Sequence, residues 1–262
     1  MSFQPVLPLS GYTGWRFLSQ TLERQTAVFA ASGEVAMNST YFRDTIAKIQ
    51  TPEDLLADRR LLSVALGAFG LQDDLNAKAF IKRVLVEGTD DKTAFANKLS
   101  DKRYAALANA FGFGNEGGAR TADAGFADTI LARYTAESFE LAVGEQDNTM
   151  RLALNLSGGI SDVMQHATSD SAQWFAMMGD SPLRSVFETA LGFPTAFGQI
   201  DIDQQKQQFM ARAKATFGVE SFADFTDPAV QEKLIRLFML RSEMNNSSLN
   251  SPASVALKLL GG

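Results

Sequence analysis

Apolar residues recur along this chain at helical spacing, and that period constrains the fold more than any other feature. Trp15, Leu18, Leu22 and Phe29 fall near one side of a helix expected to end about Ser32. The stretch "TPEDLL" then carries a start signal. Thr51 can cap free amides, Pro52 at the first position has no N–H to leave unpaired, and Glu53 and Asp54 sit at the positive end of the helix dipole. Leu55, Leu56, Leu62, Leu66 and Phe69 continue the apolar face up to Gly70. Strand-like alternation is hard to find, so an all-α fold is expected. Further helices are predicted over 38–49, 74–87, 91–99, 101–111, 121–143, 148–157, 160–167, 170–178, 182–191, 203–217, 227–244 and 252–260.

The chain can bury a core in such a fold. Its 262 residues are 45% hydrophobic and 21% charged, an ordinary globular balance that argues against wholesale disorder. Twenty Phe supply bulk without polar tips that need partners. The net charge of −6 is uneven: residues 1–113 carry 13 basic and 12 acidic side chains, residues 114–262 carry 11 and 18. A phosphate backbone would be repelled by the second half, and no dense basic stripe marks the first, so nucleic-acid binding is disfavoured. The absence of cysteine excludes disulfides, thiolate metal sites and a cysteine nucleophile. The opening residues have no base before Arg16 and two prolines among the apolar ones, which does not fit a Sec signal peptide. No stretch reaches the ~18 apolar residues of a membrane span. Synthesis in the cytoplasm is expected, with export by a route that cleaves no signal left open.

The two halves look alike. "YF" at Tyr41–Phe42 recurs as "WF" at Trp174–Phe175, Thr51–Pro52 as Ser181–Pro182, and "ALG" at 65–67 recurs at 190–192. Phe80 and Arg83 correspond to Phe209 and Arg212; Phe95, Leu107 and Phe111 correspond to Phe222, Leu234 and Phe238. Offsets that drift by only a few residues are the pattern of duplicated helical units. The expected organisation is therefore an N-terminal unit over 1–113, a Gly-rich linker over 114–120, and a C-terminal unit over 121–262 with a peripheral C-terminal helix around Val255 and Leu259.

Residues 41–113 also carry a family resemblance. "AFGL" (68–71), "AKAFIKRVL" (77–85), "EGTDD" (87–91) and "FANKLSDKRYAALANAFGF" (95–113) are its most diagnostic segments. On these the chain resembles a bacterial domain-of-unknown-function family, family 1217, whose members occur chiefly in alphaproteobacteria and often beside flagellar genes. The second half lacks the "SDKRY" charges and the acidic "EGTDD" turn. The resemblance implies a flagellar setting, and it brings no catalytic residues with it.

Few residues carry chemistry. "GFGNEG" (112–117) fits the G-x-G-x-x-G pattern of a dinucleotide loop, but it follows an expected helix, not a strand, and no βαβ pattern surrounds it. A helix end at Gly112 followed by a joint explains its glycines. His166, the single histidine, lies four residues from both Asp162 and Asp170, with no second histidine or nucleophile motif to complete a triad or a zinc site. Asp73–Asp74, Asp90–Asp91 and Asp201/Asp203 each precede an expected helix and read as caps. No catalytic, cofactor-binding or metal-ligating residue is therefore assigned. Asp101, Lys102, Arg103 and Tyr104, gathered at a helix start, are the candidate partner-docking patch. The expected function is a non-enzymatic structural or interaction factor of flagellar assembly or function, with a protein partner or copies of itself. The alternatives are a chaperone or regulator holding a client helix and, further off, an enzyme using a cleft between halves.

Overall fold

A computed structural model describes residues 3–249. Among these, thirteen α-helices and no strand are formed, so the fold is all-α. Contacts divide the described residues into two compact units, one running to residue 6 and over 21–142, the other over 7–20 and from 143 onward.

Helix α1 (Gly11–Ala30) contributes residues up to Gln20 to the second unit and the remainder to the first. The first unit continues with α2 (Gly33–Thr45), α3 (Pro52–Ala57), α4 (Arg59–Gly67), α5 (Lys78–Glu87), α6 (Phe95–Lys98), α7 (Arg103–Phe111) and most of α8 (Phe126–Gly144). Its core gathers Phe42, Leu55, Leu61, Leu66, Ile81 and Phe111 with Phe126, Ile130 and Tyr134 of α8. The start expected at Thr51 is present as a full capping box: Thr51 Oγ1 accepts from the Asp54 amide, Asp54 accepts from the Thr51 amide, and Pro52 fills the first turn.

The helix expected to run on to Phe69 breaks at Asp58. This residue is extended (φ −97°, ψ 101°), and its carboxylate accepts from the amides of Arg60 and Leu61 at 2.9 and 3.0 Å. Asp58 thus ends α3 and caps α4, a substitution of side-chain for main-chain acceptor that aspartate makes readily. The expected helix over 74–87 begins instead as a 3-10 turn (Gln72–Asn76), and that over 91–99 shrinks to α6.

The second unit holds α9 (Asn148–His166), α10 (Asp170–Gly179), α11 (Ser181–Leu191), α12 (Ile202–Phe217) and α13 (Pro228–Leu249). Helix α9 is continuous where two helices were expected. Gly159 serves packing there: a Cβ on it would lie 2.8 Å from Leu183 Cγ, so the glycine lets α11 seat against α9. Trp174, Phe187, Phe222 and Phe225 form an aromatic knot with ring centroids 4.8–6.3 Å apart. The C-terminal helix expected over 252–260 lies outside the described residues.

The Gly-rich stretch 112–118 falls inside the first unit. Gly112 ends α7 in the left-handed conformation (φ 71°), as expected of a helix C-terminus. The following turn is pinned: Asn115 Oδ1 accepts from the Thr89 amide at 2.8 Å, Asp90 accepts from the Glu116 amide at 2.8 Å, and the Arg120 amide returns to the Phe111 carbonyl. The segment 114–120 is a packed turn of one unit and not the boundary between the two compact units. The boundary moves because Phe126, Ile130 and Tyr134 complete the first core, which takes α8 with it.

Candidate functional site

The four residues of the expected docking patch are held inside the first unit. Asp101 accepts from Arg103 at Nε and Nη2 and from its backbone amide, at 2.7–3.1 Å. Arg103 Nη1 donates to the Gly70 carbonyl at 2.6 Å. Lys102 Nζ donates to the carbonyls of Asn97 and Leu99, closing the end of α6. Tyr104 donates its hydroxyl to Asp74 at 2.6 Å and meets the edge of Phe80 at 5.0 Å. Burial pushes the Tyr104 phenol up to about 12, and the Asp74 carboxylate adds to it. Burial also raises the Asp101 carboxyl, but the hydrogen bonds from Arg103 outweigh it and hold the group below its ordinary value. These side chains tie α6 and α7 to the turn after α4, and their polar atoms are spent on the chain itself. Asp74 accordingly serves Tyr104 in place of the expected cap, whereas Asp201 does cap α12.

His166 closes α9 with Nδ1 2.8 Å from the Asp162 carbonyl of its own helix. Among the described residues, no three His, Asp or Glu side chains are grouped as metal ligands, and no helix is long and apolar enough to cross a membrane.

A different surface has the makings of a site. An open depression of about 440 Å³ is lined by Ala36, Met37, Thr40, Tyr41 and Asp44 of α2 and by Arg60 of α4. These α2 positions follow helical spacing, so they share one side of the helix. Tyr41 donates to Asp58 at 2.6 Å, and this bond is the main reason its phenol is held above the ordinary value. The Arg60 guanidinium lies 4.6 Å over the Tyr41 ring, and its Nε donates to Asn38 at 2.8 Å. Asn38 is itself buried beneath the helix, its amide facing Tyr134 and Glu34. Asp58 links the break between α3 and α4 to this surface: it sets where α4 starts and holds Tyr41. Sequence reasoning passed over this depression because Ala36 and Met37 precede the helix expected over 38–49, and Arg60 falls inside a stretch read as one unbroken helix. The signals present were an exposed Met37 and an aspartate in the middle of an apolar helix pattern.

A family model described as "Protein of unknown function (DUF1217)" matches residues 68–230, more than half of the chain. The chain belongs to this family. The DUF1217 match covers the 3-10 turn after α4, the Gly-rich turn and the aromatic knot, up to the start of α13. An X-ray crystal structure of an Agrobacterium tumefaciens protein, a structural genomics target, is similar over 93% of this chain and 100% of its own, with 30% identity and a TM-score of 0.74. That neighbour comes from an alphaproteobacterium. The curated proteins give no match.

Proposed function

We propose that this DUF1217 protein is a non-enzymatic interaction factor of flagellar assembly or function, working through its helical surfaces. The observation that carries the interaction reading is the depression on α2, where Met37 is 60% exposed beside an arginine already held in place. An exposed, unbranched apolar side chain next to oriented polar groups is the composition of a recognition surface. The flagellar part rests on the family resemblance and the gene setting it carries, which is an association and not a mechanism. Synthesis in the cytoplasm, export by the flagellar route, assembly with further copies and descent from an internal duplication belong to the same proposal. The order helix, 3-10 turn, helix, short helical turn, helix occurs from α4 to α7 and again from α11 to α13, which supports the duplication.

Deletion of the gene, scored for swimming and for flagella by electron microscopy and paired with mass spectrometry of co-purifying proteins, tests this reading. Loss or alteration of motility with a flagellar protein recovered is the expected outcome. Normal swimming with no flagellar protein recovered would refute it.

A further inference from the structure

We infer that the depression between α2 and the first turn of α4 docks a partner's helix that presents an apolar side chain and a carboxylate about one turn apart, with Arg60 as the anchor for the carboxylate. The inference rests on the interaction role proposed above and names the chemistry of the partner.

Arg60 has five N–H donors. One, on Nε, is used on Asn38; among the described residues the terminal nitrogens meet no acceptor, and no carboxylate forms an ion pair with them. Arg103, Arg212 and Arg241 by contrast each spend a terminal nitrogen on a carbonyl, of Gly70, of Leu191 and Gly192, and of Ala190, whereas Arg83, also bonded through Nε and set over a ring, has its Nε on a carboxylate, that of Glu87. The Arg60 fork is nevertheless oriented, by the Asn38 bond along one edge and the Tyr41 ring across its face. Much of the ordering cost of a guanidinium–carboxylate pair is therefore met before the partner arrives. A planar fork with its two terminal nitrogens open matches a carboxylate bidentately.

The rest of the depression selects among acids. Ala36 and Met37 lie one turn from Tyr41 and offer an apolar contact on the N-terminal side of Arg60. Asp44, which has no partner among the described residues, lies beyond it on the C-terminal side. From Ala36 to Asp44 the stripe runs about 12 Å, a little over two helical turns, which suits a crossing helix. Nucleic acid would bring phosphate against Asp44 and leave Met37 exposed, and an anionic lipid surface, though it could bury Met37, would likewise bring phosphate against Asp44. A helix with an apolar residue, an acid a turn away and a neutral or basic residue opposite Asp44 satisfies every group.

The test places a photo-crosslinking benzoylphenylalanine at Met37 of the full chain in cells, with the exposed positions Val86 and Leu240 as controls. The expected adduct at position 37 maps to a protein segment with Asp or Glu within one turn of an apolar residue. Arg60→Glu lowers its yield by about tenfold, the effect of losing one shielded charge pair. Reversing the partner's carboxylate to lysine restores it, and Arg60→Lys, which keeps the charge without the fork, falls between. If Arg60→Glu melts the fold, Arg60→Gln takes its place, with the melting curve measured alongside. An adduct insensitive to Arg60, or one on a basic segment, lipid or nucleic acid, overturns the inference. Adducts at Val86 or Leu240 without one at position 37 would overturn it while leaving the interaction role standing. No adduct at any position, with normal swimming on deletion, would overturn both.

Discussion

Asp58→Ala is the perturbation that most directly tests how the first unit is built around its site. Three groups depend on this carboxylate: the Arg60 amide at 2.9 Å, the Leu61 amide at 3.0 Å and the Tyr41 hydroxyl at 2.6 Å. Loss of a helix cap costs about 1–2 kcal/mol, and the released Tyr41 bond adds to that. In a unit of this size each kcal/mol lost corresponds to a fall in melting temperature of about 2–8 °C. Asp58→Asn keeps a capping oxygen and should cost less than Asp58→Ala, losing only what the charge adds. Circular dichroism in urea measures each variant, and a double-mutant cycle with Tyr41→Phe isolates the coupling. Tyr41→Phe keeps the ring under Arg60, so the two changes should be less than additive.

The pH dependence has a definite sign. Burial raises the Asp58 carboxyl, but Tyr41 and the two amides outweigh it and hold it below its ordinary value. The charged form is therefore favoured in the fold, so its contribution is full above the unfolded value near ~3.9 and is lost as pH falls through the lower folded value. The difference between the native chain and Asp58→Asn should shrink across that acid window. A loss for Asp58→Ala below about 0.5 kcal/mol, strict additivity with Tyr41→Phe, or a difference that grows in acid would refute this account of the α3–α4 break.

Tyr104, held up to about 12, favours the neutral phenol in the fold. Its contribution is full below pH ~10 and is lost as pH rises through about 12, so Tyr104→Phe should flatten the alkaline limb of the stability curve measured by urea midpoints. Gly88 (φ 63°, ψ −149°) lies where only glycine is at ease, and a Cβ there would lie 2.6 Å from the Gly114 carbonyl. Gly88→Ala should cost at least about 1–3 kcal/mol. Gly218→Ala, at an ordinary left-handed helix end with open space around it, should cost roughly 1 kcal/mol; equal costs would count against the reading of the 86–91 turn. Trp174→Ala should cost about 3–5 kcal/mol by emptying the knot of Phe187, Phe222 and Phe225. Trp174→Phe should cost less, because the indole N–H it removes has no hydrogen-bond partner among the described residues; denaturant midpoints decide between them.

Much of the fold was legible because helical period and local caps are written in neighbouring residues. Thr51, Pro52 and Asp54 announce α3 without help from the rest of the chain, and Gly112 ends α7 as its sequence context requires. Asp58 was harder. Within an apolar pattern an aspartate is compatible with an exposed helix position, and only Tyr41, seventeen residues away, adds the acceptor's third donor. Gly158–Gly159 misled in the other direction: adjacent glycines weaken a helix, yet contact with Leu183 requires the missing side chain and keeps α9 whole. Both misreadings come from tertiary partners overriding local propensity.

The side chains of the expected docking patch are bonded within their own unit for a related reason. Asp101, Lys102, Arg103 and Tyr104 look like an outward-facing charged turn in sequence, but their acceptors and donors are Gly70, Asp74, Asn97 and Leu99, supplied by neighbouring elements. Arg60 reads as one more helix-surface charge until Asn38 and Tyr41 are placed against it. Charge content alone therefore does not tell the two surfaces apart. A site for a partner is better recognised by oriented groups with unused bonding capacity, and by that criterion α2 and the first turn of α4 outrank the start of α7. The Gly-rich turn obeys the same logic: Asn115 and the Glu116 amide are already satisfied by Thr89 and Asp90, and Gly114 lies where a Cβ would collide with the Val86 carbonyl and the Gly88 amide.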